Sequence, residues 1–129
     1  MENTKKPFLL VCALGLAGVG LLYGWNPSWF VNKFLNLGMA FSLGNGPIDL
    51  RHIFRAIGGL YVGIAYFWMR SAISGEGLDK AMISVCSICV FVAAARVASI
   101  VLDGMPSTFL VVSVVLEAVL FLAALVVSK

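Results

Sequence analysis

Residues 80–128 read KAMISVCSICVFVAAARVASIVLDGMPSTFLVVSVVLEAVLFLAALVVS. Two long apolar runs are separated by Asp103-Gly104-Met105-Pro106, a turn short enough that the runs must return on each other as an antiparallel hairpin. Each run reaches the roughly 20 apolar residues that cross about 30 Å of hydrocarbon. Inside them stand one arginine, Arg96, and one carboxylate, Glu117. A charge at the centre of a spanning helix costs about 2.5–3.5 kcal/mol on insertion scales, so neither is expected to face lipid alone.

The rest of the chain has the same character. Of its 129 residues 61% are apolar and 12% charged, where a soluble domain is about a quarter charged. Four spans with short connections use nearly the whole length, which leaves no room for a soluble catalytic domain. The formal charge of +3 comes from few groups and is no nucleic-acid signature. Cys12, Cys86 and Cys89 fall in apolar runs, so they read as packing residues and not as a disulfide framework or a metal site. No cofactor is implied.

Taken in order, residues 8–25 form a first span rich in glycine, a retained helix and not a cleaved leader, since no small-residue cleavage site follows it. Asn26-Pro27-Ser28 ends it, with Ser28 as the expected cap of a short helix over residues 29–42, which either lies in the interface plane or lids the bundle as an ordinary loop helix. Gly44-Asn45-Gly46-Pro47 is a turn, and Asp49 is expected to cap the second span, 49–70. Its outer end is polar, with Asp49, Arg51 and His52 reading as a solvated or headgroup-facing rim. Arg55 shares a helical face with Gly59, Val62, Gly63 and Tyr66, which points it toward the interior. Asp79 is expected to cap the third span, 80–102, and the fourth covers 107–128. Lys5, Lys6, Arg70, Lys80 and Lys129 fall on one side, so both termini are expected in the cytoplasm, with Asp103 facing outward.

The expected architecture is therefore an all-α, integral membrane, four-helix antiparallel bundle. Arg55 and Arg96 lie roughly 9–10 Å below the outer surface and Glu117 roughly 16 Å below it. Arg55, Arg96, Glu117, Ser99 and Ser113 are the candidate site. Two readings stand: a polar pocket that takes a lipid or small anion, or a buried salt bridge that fixes helix register. No Ser–His–Asp set, paired carboxylates or His/Cys cluster occurs in the spans, so no enzyme is expected. The partners expected are membrane lipids, a membrane protein or a second copy, the last allowed by Gly59-x-x-x-Gly63.

The run Arg55-Ala56-Ile57-Gly58-Gly59-Leu60-Tyr61, the Ala95-Arg96 step with its Asp103-Gly104-Met105-Pro106 turn, and Glu117 carry a likeness over most of the chain. The chain resembles a bacterial family of small four-helix inner-membrane proteins catalogued as a domain of unknown function, and is loosely similar to DoxX-like four-helix proteins. That resemblance implies the fold and an inner-membrane location, and supplies no reaction.

Overall fold

The computed structural model describes residues 2–35 and 46–128. They form five helices: α1 (Glu2–Trp25), α2 (Pro27–Phe34), α3 (Gly46–Ser74), α4 (Leu78–Asp103) and α5 (Thr108–Ser128). Four of these are long and apolar enough to cross a membrane, over Thr4–Trp25, Ile48–Ser74, Leu78–Asp103 and Thr108–Ser128. The chain is all-α. It divides into two compact units, Val11–Met69 and a second that joins Met1–Leu10 to Arg70–Lys129.

In the unit Val11–Met69, α1 and α3 touch backbone to backbone. A Cβ added at Gly58 would lie 2.6 Å from the Gly20 carbonyl oxygen and 2.9 Å from the Gly24 amide nitrogen. Only glycine fits at such an approach, the usual route to tight helix packing where no water drives association. Beside this contact Tyr23 gathers an aromatic cluster, its ring centroid 4.6 Å from Phe30, 5.3 Å from Phe54 and 5.7 Å from Tyr61. Phe30 and Val31 are fully buried, so α2 is held by the same cluster.

The start of α2 differs from expectation. Asn26, not Ser28, is its cap: the Asn26 side-chain oxygen accepts from the Trp29 amide at 3.1 Å. Pro27 occupies the first helical position, where its fixed φ is already helical and its missing N–H is not needed. The helix ends at Phe34, because Leu35 is extended at φ −117° and ψ 139°. Residues 36–42 of the expected interfacial helix, and Gly44-Asn45 of the following turn, lie outside the described residues. Gly46 and Pro47 are helical, so α3 begins earlier than the expected 49 and Asp49 sits in its first turn instead of capping it.

The other unit is built on the α4–α5 hairpin. Leu78, Ala81, Met82, Val85 and Cys89 are buried at helical spacing along one stripe of α4. Gly104, at φ 97°, closes α4 in a conformation that glycine adopts without strain, and its amide donates to the Ile100 carbonyl at 3.1 Å. At the opposite end Gly77, also left-handed at φ 68°, stands where α4 begins. Asp79 is thus inside the helix and not its cap. Its carboxylate instead accepts from Lys5 Nζ at 2.8 Å, joining the first turns of α1 to α4. With Asp79 82% exposed, that pair contributes about 1 kcal/mol or less. The first helix begins two turns upstream of the expected 8, with Pro7 inside it.

Candidate functional site

Within the hairpin the turn sets the register. Arg96 is seven residues before the end of α4 and Glu117 nine residues after the start of α5, or roughly 10 and 14 Å from the turn at the helical rise. The reach of an arginine closes the difference. Arg96 Nε donates to Glu117 Oε1 at 3.1 Å, with both residues two turns or more from the hairpin turn.

The bond is single. An arginine carries five N–H donors in a planar fork suited to gripping both oxygens of a carboxylate. Here Nε alone is engaged, and neither terminal guanidinium nitrogen is bonded among the described residues. On the other side Glu117 Oε2 is shut off from solvent and has no hydrogen-bond partner among the described residues. An enclosed acceptor left unmade costs about 1–3 kcal/mol, more when charged. The pair is half-satisfied on both ends.

The pair is not the buried cluster that the sequence suggested. The Arg96 side chain is 23% exposed and that of Glu117 19%, and the buried polar residue among those described is Ser71. The reason lies in the neighbours: beyond Cys89 no residue of α4 is buried, and Ala124 is the one buried residue of α5. The half of the hairpin nearest the turn is the least covered, with Val97, Val101, Leu102, Val112, Val115 and Leu116 all exposed.

The two serines do not extend the pair. Ser99 Oγ donates to Asp103 Oδ2 at 2.7 Å and Ser113 Oγ to the Phe109 carbonyl at 2.9 Å. A helical serine has its own helix within reach four residues away, and that local bond competes with any bond across. Asp103 is exposed and held by Ser99. Arg55 belongs to the other unit, on an exposed face of α3, with no hydrogen bond or ion pair among the described residues. Its face is not the packed one. Gly58 makes the close approach, while a Cβ at Gly59 or Gly63 would meet nothing within 4 Å. Asp49 and His52 are exposed and Arg51 half-buried. No group of three His, Cys, Asp or Glu residues is placed to hold a metal among the described residues.

Three contributors escaped the sequence reading. Asn26 could have been found from the Asn-Pro step at a helix start. The Gly20–Gly58 contact and the Lys5–Asp79 bridge carry no local signal, because each joins residues far apart in the chain.

Four helices long and apolar enough to cross a membrane mark a small multi-pass membrane protein. The chain matches the family described as a domain of unknown function, DUF4345, over residues 4–128, and belongs to it. No curated protein and no solved structure matches it.

Proposed function

We propose that this protein is a non-enzymatic accessory subunit of a membrane complex, and that the Arg96–Glu117 pair is where its partner engages. One observation carries the reading. The pair makes a single hydrogen bond, on the least covered half of the hairpin, and leaves the two terminal guanidinium nitrogens of Arg96 to be completed. A partner helix with a polar or acidic side chain at this depth would complete it, and a bond made in lipid has no water to compete with it. The setting we propose is a bacterial inner membrane with both termini in the cytoplasm, supported by the basic residues Lys5, Lys6, Arg70 and Lys80.

A second reading rests on the same two nitrogens. Their fork also fits one carboxylate or phosphate, so a carrier or binding protein for a lipid or small anion is the alternative. The test is the particle mass after extraction into native-lipid nanodiscs. The accessory reading expects a wild-type particle heavier than one copy of the chain, and an Arg96→Gln particle that is lighter with unchanged helical circular dichroism. A wild-type particle holding one copy and no other protein overturns it and leaves the anion reading standing.

A further inference from the structure

The outward face of α3 carries a second, independent arrangement of charge. His52, Arg55, Gly59, Val62, Gly63 and Tyr66 are all exposed and fall within one side of the helix. Arg51 lies at its edge, half-buried. None of Arg51, His52 and Arg55 is hydrogen-bonded or ion-paired among the described residues. Asp49, the one acid of α3, borders the face beside His52, about 120° round the helix from Arg55 and about 160° from Arg51.

The vertical order is what identifies the occupant. Counted from Ile48, where the span begins, His52 is roughly 6 Å and Arg55 roughly 10 Å along the axis. A guanidinium at that depth rises along its aliphatic stem toward the headgroups. Below it Gly59 and Gly63 leave a shallow trough with nothing within 4 Å of either missing Cβ. Cationic groups at the rim and an apolar trough beneath them match a phospholipid, with its phosphate above and an acyl chain below. A second copy does not fit, because a two-fold contact through this face would set Arg55 against Arg55.

We infer that the Arg55 face of α3 is a binding site for an anionic phospholipid, with Arg55 and Arg51 on the phosphate and the Gly59–Gly63 trough on one acyl chain. It lies on a different unit from the Arg96–Glu117 pair and does not depend on that reading. Attraction to an anionic headgroup amounts to about fivefold in affinity per arginine.

The experiment is native mass spectrometry of the full chain released from detergent, titrated with phosphatidylglycerol, with phosphatidylcholine, and with inorganic phosphate. The expected result is about a 25-fold preference for phosphatidylglycerol over phosphatidylcholine, reduced about fivefold in Arg55→Gln and kept in Arg55→Lys. Gly63→Leu, which fills the trough without touching a charge, is expected to weaken phosphatidylglycerol retention too. Equal retention of the two lipids, or an Arg55→Gln variant whose preference is undiminished, overturns the proposal. So does displacement of phosphatidylglycerol by an equal concentration of inorganic phosphate, which would make the site one for a free anion. A co-purifying protein lost in Arg55→Gln while lipid retention is unchanged would assign the face to a helix and also overturn it.

Discussion

Arg96 and Glu117 are each other's counter-charge, and the consequence for mutation is non-additive. Arg96→Ala leaves a carboxylate alone at membrane depth and is expected to cost about 2–3 kcal/mol. Removing both groups in Arg96→Ala/Glu117→Ala should cost less than the sum of the single changes, read from thermal unfolding in detergent. Additive losses would mean that the two side chains do not act on each other. This pair was legible because the short Asp103–Pro106 turn fixes the register of the two helices. Ser99 and Ser113 were not, since nothing in the spacing distinguishes a serine that faces a neighbour from one that bonds its own helix.

At the level of elements, two adjacent glycines in α3 behave oppositely. Gly58 is pressed against α1 and Gly59 faces outward, because consecutive helical positions point about 100° apart. Gly58→Leu is therefore expected to lower stability by at least about 2 kcal/mol. Gly59→Leu should be neutral or slightly stabilising, since glycine is the poorer helix former. Equal melting temperatures for the two variants would contradict the packing. Asn26→Ala, which removes the cap on α2, is expected to cost about 1 kcal/mol. The sequence shows that a glycine-rich helix packs closely, but not which of two neighbouring glycines does so. That choice belongs to the partner helix. The long apolar helices themselves were legible from hydropathy, while α1 and α3 start at Glu2 and Gly46 because helices run past the apolar stretch into polar flanks.

For the whole molecule, four spans imply that the chain ends on the side where it began. Single cysteines placed at Lys5 and at Glu76, in a background with Cys12, Cys86 and Cys89 replaced by alanine, should be labelled from the same side of the membrane. A cysteine at Gly104 should be labelled from the other. Labelling of all three from one side would rule out the hairpin as a membrane crossing. This scale was the most legible of the three, because a chain 61% apolar has few solutions outside lipid. Function was the least legible. Charged groups inside a span mark a place of interest, yet the same two residues serve a structural bridge and a docking point equally well on paper.

The charge swap Arg96→Glu/Glu117→Arg separates those roles. It keeps the attraction within the hairpin and reverses the groups offered outward. We expect the swapped protein to fold with a melting temperature near that of the wild type, and its native-nanodisc particle to be lighter than the wild-type particle. A swapped particle of wild-type mass would contradict the account, for it would mean that the pair holds two helices together and does nothing more.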